Sequence, residues 1–211
     1  MPARVVCISR TLGAGGPEIG RAVSERLDFR YVDEEIVAQA AERGGVDEGL
    51  VADTEKRRTL ARRLLDELAW AGLAQTPSPV LVEALTTGPY RELIVDVIRE
   101  TAERGEAVIV AHAASHALAG HRDLLRVLVT ASDELRAQRL GAEAGVDENE
   151  ARKLVRKSDA DRAAYLKSFY GVSAETPTQY DLVVNTDTLE EADAAELIVT
   201  AARFSLDGAA T

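Results

Sequence analysis

What this chain lacks narrows it first. Its single cysteine, Cys7, excludes an intramolecular disulfide and fits a reducing compartment. Cys7 falls inside an apolar run, where a small buried thiol is expected rather than a nucleophile. No stretch is long and apolar enough to span a bilayer. No signal-peptide segment precedes the first polar and glycine residues, so a cytoplasmic protein is expected. Positive charge is in deficit: 25 Lys and Arg against 36 Asp and Glu leave a net charge of −11. That balance argues against a general nucleic-acid or anionic-membrane surface, while a local basic pocket for a phosphorylated small molecule stays open. There is no G-x-S-x-G turn to seat a serine nucleophile. His112 and His116 stand four apart with His121 beyond, but no glutamate of an H-E-x-x-H pattern lies between them, so no metal site is expected. No repeats or low-complexity tracts interrupt the 211 residues.

What is there alternates. Short β-branched or continuous apolar runs are expected as strands at 4–9, 30–32, 107–111, 125–130 and 181–185. Runs with apolar residues at helical spacing separate them, at 17–27, 34–43, 55–73, 90–103, 133–141, 148–170 and 189–204. Strands that alternate with helices imply βαβ units around a parallel sheet. A break falls at Gln75-Thr76-Pro77-Ser78-Pro79, and the residues from Asp207 onward are expected to fray.

The most informative segment joins the first strand to the first helix: Ser9-Arg10-Thr11-Leu12-Gly13-Ala14-Gly15-Gly16-Pro17-Glu18-Ile19-Gly20. A glycine-rich turn here points backbone N–H groups and a positive helix end at an anion. Pro17 suits the first helical position. The phosphate-loop pattern is G-x-x-x-x-G-K-[ST]. Aligned on Gly15, its first glycine is Arg10, its lysine is Gly16 and its hydroxyl residue is Pro17. The architecture survives while the pattern fails. The phosphate-binding candidates are therefore Arg10, Gly13, Ala14, Gly15, Gly16 and Pro17, with Arg10 either folding back on a phosphate or staying solvated.

That loop, the segment Tyr31-Val32-Asp33-Glu34-Glu35-Ile36 and the block from Lys157 to Gly171 followed by Tyr180-Asp181-Leu182-Val183-Val184-Asn185-Thr186 occur in an order that resembles the cytidylate kinase-like family. The resemblance runs from about residue 5 to about 199. It implies an α/β, three-layer P-loop NTPase-like fold in one domain over 1–211. A helical monophosphate-binding insert would occupy 34–88 and a helical lid 147–172. It implies ATP and Mg2+ as cofactors, nucleotides as partners and phosphoryl transfer to a cytidylate-like acceptor. Nucleic acid and membrane are not expected as partners; a homodimer is possible through the leucine-rich helix at 55–73, which also carries Trp70.

Two departures bear on activity. Relatives carry an arginine after the double glycine, where Pro17 stands, and Gly-Arg after the third strand, where Ala111 and His112 stand. Replacement charge would come from the lid segment, whose Arg152, Lys153, Arg156, Lys157, Arg162 and Lys167 form either a lid over ATP or a solvated face. Arg162, Asp159 and Arg156 are the catalytic candidates, with Asp159 and Arg162 one turn apart and able to brace each other. Asp33, His112 and Asp181 are the acceptor-binding candidates. Asp33 reads equally as the N-cap of the following helix, and Asp181 as a strand-edge carboxylate. Asn185 and Thr186 would lie near the adenine. Slow or specialised kinase activity is expected, against a catalytically silent nucleotide-binding scaffold.

Overall fold

Residues 3–33, 88–110 and 114–204, with Ile36, Gln39 and Arg43, are described by a computed structural model. Five parallel strands form one sheet in the order β2-β3-β1-β4-β5. They are β1 (Val5–Arg10), β2 (Arg30–Val32), β3 (Ala107–Ile109), β4 (Leu124–Thr130) and β5 (Leu182–Asn185). The helices are α1 (Gly16–Leu27), α2 (Gly88–Arg104), α3 (Ala114–Ala117), α4 (Asp133–Ala144), α5 (Glu148–Tyr170) and α6 (Glu191–Arg203). β1 lies at the centre, paired from Val5 to Cys7 with β3 and along its whole length with β4.

Strand alternation sorts the core into layers. Val6 and Ile8 face α1 and α6, where Ile19, Val23, Ile198 and Val199 are buried. Val5 and Cys7 face the other way, onto Ile94, Val97 and Ile98 of α2 and Ala114 of α3. Cys7 is fully enclosed, and burial pushes its thiol pKa up to about 12, as a structural residue requires. A separate apolar cluster of Ala137, Leu140, Ala151 and Val155 joins α4 to α5, with Leu12 of the glycine turn packed against it. The helix ends carry local reasons: Ser132 caps α4, Asp147 caps α5, and left-handed Gly145 and Gly171 close the same two helices.

Sequence patterning placed these elements to within a few residues, except the short α3, which it did not anticipate. α1 begins at Gly16, so Pro17 sits one residue inside the first turn rather than at its head. β5 opens at Leu182, leaving Asp181 just outside it, and α4 runs past Gly141 to Ala144. The expected helices at 34–43 and 55–73 lie essentially outside the described residues, as do Trp70, His112 and the last residues from 205. No helix among the described residues is long and apolar enough to cross a membrane.

Candidate functional site

The glycine turn is fixed from behind. Gly13 and Gly15 take left-handed φ of 78° and 80°, a conformation that costs other residues strain. Arg139 of α4 reaches Gly13 O at 3.5 Å and binds Thr186 through Oγ1 at 3.0 Å and O at 2.8 Å. Thr186, buried at the end of β5, donates to Ala14 O at 3.1 Å. Arg136 Nη1 reaches Leu12 O at 3.5 Å. The carbonyls of Leu12, Gly13 and Ala14 are thus engaged on one side. The N–H groups of Thr11 and Ala14 are taken by Val129 O and Thr11 O. Among the described residues none takes the N–H of Gly13, Gly15 or Gly16. Free N–H groups at a helix start, with their carbonyls tied away, make an anion cradle.

Beside the turn, the end of β2 contributes Tyr31 and Asp33. The Tyr31 hydroxyl donates to Asp33 Oδ2 at 3.1 Å, and the Arg21 guanidinium lies 5.2 Å from the centre of the Tyr31 ring. Burial raises the Asp33 carboxyl pKa above the usual range, although Arg10, the Tyr31 hydroxyl and Arg21 pull it back down. Burial and the neighbouring Asp33 likewise raise the Tyr31 hydroxyl. Arg10 is half-buried and forms no ion pair within 4.0 Å among the described residues.

On the other side, α5 brings Asp159 and Arg162 to a cavity of about 160 Å³ that Thr11 also lines. The expected brace between these two is not made; each has a stronger partner on another element. Asp159 accepts from Arg136 Nη1 at 2.9 Å and Nη2 at 2.6 Å, which pins α5 to α4. Arg162 donates through Nε and Nη2 to Glu175 at 2.6 and 2.7 Å. The Tyr180 hydroxyl also donates to Glu175 Oε1. Burial alone would raise the Glu175 carboxyl, but Arg162 and Tyr180 hold it below its ordinary value. Arg162 Nη1 is left buried without a partner. Nearby, burial keeps the His116 imidazole pKa below its ordinary value, with Glu175 opposing.

The other candidates divide. Arg156 is exposed on α5 and does not line the cavity. Asp181 is held at the start of β5 by three bonds from Arg126, to its N at 2.8 Å, Nε at 3.1 Å and Nη2 at 2.7 Å. It stands level with Cys7 in the sheet register, below the glycine turn, with its carboxylate engaged by Arg126. Thr186 meets the loop backbone at Ala14 O and the Arg139 guanidinium. No group of three or more metal-capable side chains occurs among the described residues. Sequence reasoning missed Arg136, Arg139, Glu175 and Tyr180. The first two had a signal: they stand three apart on the helix that follows a central strand, one face of which must meet the loop.

The sequence model of the cytidylate kinase-like family matches residues 5–188. A cytidylate kinase of Methanocorpusculum labreanum is 26% identical over 202 residues, 95% of this chain and 97% of that protein. Another, of Methanoculleus marisnigri, is 31% identical over 104 residues, 49% of this chain and 56% of that protein. Among solved structures, an uncharacterized protein from Eubacterium ventriosum superposes with a TM-score of 0.63 at 16% identity, covering 93% of this chain and 96% of that one. Shikimate kinase from Bacteroides thetaiotaomicron gives 0.50 at 19% identity, covering 93% and 94%. At such identities the structures speak for the fold alone, an α/β parallel sheet of the kind found in P-loop kinases.

Proposed function

The chain belongs to the cytidylate kinase-like family, and from that premise we propose that it transfers the γ-phosphoryl group of ATP·Mg2+ to a nucleoside monophosphate or a related small phosphate acceptor. The observation that carries this reading is the cradle at the end of β1, with the N–H groups of Gly13, Gly15 and Gly16 free beside a helix start. An acceptor phosphate oxygen bonds to the γ-phosphorus as the bond to the β–γ bridging oxygen breaks. ADP leaves with that electron pair. The protein's share of such a transfer is positioning and charge neutralisation. In this reading the loop N–H groups hold the donor phosphates and Arg162 serves the transferring group from a lid formed by α5. Mg2+ would enter as part of the donor substrate and would supply neutralisation of the phosphate charge. Such ions are held by phosphates with one or two carboxylates rather than a protein cage. Asp33, at the loop end of β2, is the carboxylate that fits this need.

A second reading has its own support. Gly16 and Pro17 leave the loop without lysine or hydroxyl, and Arg162 is tied to Glu175. A nucleotide-binding protein without turnover would tolerate both. The test is ADP formation by the purified protein with ATP·Mg2+ and each nucleoside monophosphate in turn. Slow transfer is expected, with cytidylate preferred. Binding of ATP with no ADP formed for any acceptor would overturn the kinase reading and leave the silent binder.

A further inference from the structure

Glycine at position 16 is not explained by its own backbone. It lies in the first turn of α1, and its φ is not among the positive values that favour glycine. What excludes a side chain is Arg10. A Cβ at position 16 would stand 2.5 Å from Arg10 Cδ, 2.6 Å from Arg10 Cβ and 3.1 Å from Arg10 Cγ. The arginine stem runs through the space that a lysine at 16 would need to leave the helix. In the phosphate-loop pattern these two positions carry glycine first and lysine second. Here they carry arginine first and glycine second. The exchange is reciprocal, and the contact makes it steric.

The charge at the end of that stem has no carboxylate partner within 4.0 Å among the described residues. The positive charge of Arg10 is felt by both Asp33 and Tyr31. Other arginines around the turn are engaged among the described residues: Arg136 with Asp159, Arg139 with Thr186, Arg162 with Glu175, and Arg21 with Glu18 and the Tyr31 ring. Arg10 alone in this group has neither an ion pair within 4.0 Å nor a side-chain hydrogen bond among the described residues. Leaving a half-buried guanidinium unpaired is unfavourable unless a ligand supplies the anion.

We propose that Arg10 is the loop cation of this chain: its guanidinium, delivered from the end of β1 across Gly16, binds the β- and γ-phosphates that a lysine at position 16 serves in the standard loop. The proposal rests on reading the turn as a nucleotide phosphate site. It makes Arg10 and Gly16 one unit, in which neither position tolerates change alone.

The test measures ATP·Mg2+ and AMP binding by calorimetry, with thermal melts, for the wild type, Arg10→Ala, Arg10→Lys, Gly16→Lys and the double variant Arg10→Gly with Gly16→Lys. Arg10→Ala should weaken ATP by about tenfold or more, the scale of a lost charge-assisted contact. AMP binding should change much less, and Arg10→Lys should recover part of the loss. Gly16→Lys alone should melt lower and lose ATP binding, and the double variant should regain both. If Arg10→Ala does not fold, Arg10→Gln against Arg10→Lys replaces it, with the glutamine variant expected to be the weaker. ATP affinity unchanged on removal of the Arg10 charge would overturn the proposal. So would a Gly16→Lys protein that folds and binds like the wild type. A wild type that binds ATP but transfers to no acceptor would overturn the kinase reading and leave the Arg10 assignment standing.

Discussion

Replacing Glu175 by glutamine should destabilise this protein more than any exposed charge removal on α5. The structure sets the magnitude. The Arg162 side chain is 8% exposed and that of Glu175 16%, and two bonds of 2.6 and 2.7 Å join them. Breaking such a buried pair costs about 3–5 kcal/mol, because the remaining charge stays buried without compensation. Glutamine keeps one acceptor oxygen for Arg162 but turns an amide N–H toward a guanidinium, so the lower end, about 3 kcal/mol, is expected. For a chain of this length that corresponds to a drop in Tm of about 6–12 °C. Asp161→Asn is the matched control. Its pair with Lys157 is as short, at 2.6 Å, but the side chains are 39% and 44% exposed. Exposed pairs contribute about 0–1 kcal/mol. Thermal melts of both variants, with chemical denaturation to check that the m value holds, decide the matter. If Glu175→Gln melts within about 2 °C of the wild type, burial does not set the strength of this pair and the reasoning fails.

Three further outcomes follow from the same contacts. Gly13→Ala should lose about 2 kcal/mol or more, since its left-handed φ of 78° is strained for alanine and the new Cβ would lie 2.8 Å from Arg136 O; a thermal melt equal to wild type would refute this. Stability should fall as pH drops below neutral: Glu175 is held below its ordinary value and burial holds His116 below its own, so at these two groups the unfolded chain binds more protons than the native one, with the raised Asp33 carboxyl opposing them in part. Melts from pH 7 to pH 4 check this, and Glu175→Gln should flatten the lower part of the curve. Arg162→Ala should lower phosphoryl transfer by orders of magnitude while changing ATP affinity little, as a charge used in the transition state requires. Equal losses in rate and affinity would make it a ground-state contact.

The frame of the fold was legible because it depends on periodicity. Val5 to Ile8 and Ala107 to Val110 are continuous apolar runs that only a sheet covered on both faces buries well, Leu125 to Val129 is broken only by Arg126, and the helices between them show their spacing openly. The glycine turn was legible for a related reason, since Gly13 and Gly15 answer a local backbone demand. The partnerships were not. Asp159 and Arg162 sit at a spacing that permits a bond, and spacing alone favoured it. Their actual partners, Arg136 and Glu175, come from α4 and from the segment before β5, which no local pattern connects to α5. Asp181 resembled a site carboxylate at a strand terminus, but it stands at the end where β5 begins, and ligands in open parallel sheets gather where strands end.

The division of labour among the arginines then follows from burial. Arg136 and Arg162, at 3% and 9% exposure, cannot be left as bare charges. Asp159 and Asp133 neutralise the first and Glu175 the second, and in doing so they tie α4, α5 and the segment after α5 to the back of the glycine turn. Support from behind holds the turn in the shape that leaves the N–H groups of Gly13, Gly15 and Gly16 without a partner among the described residues. Such a cradle needs a cation that is not already neutralised. A tethered arginine delivers charge only after its carboxylate is displaced, at the cost of leaving that carboxylate buried and unpaired. Arg10 carries no such penalty, because nothing among the described residues must be released first. On the proposed reading, pairing sets the order of events: Arg10 would engage the phosphates as they arrive, and Arg162 would join only if the nucleotide outcompeted Glu175.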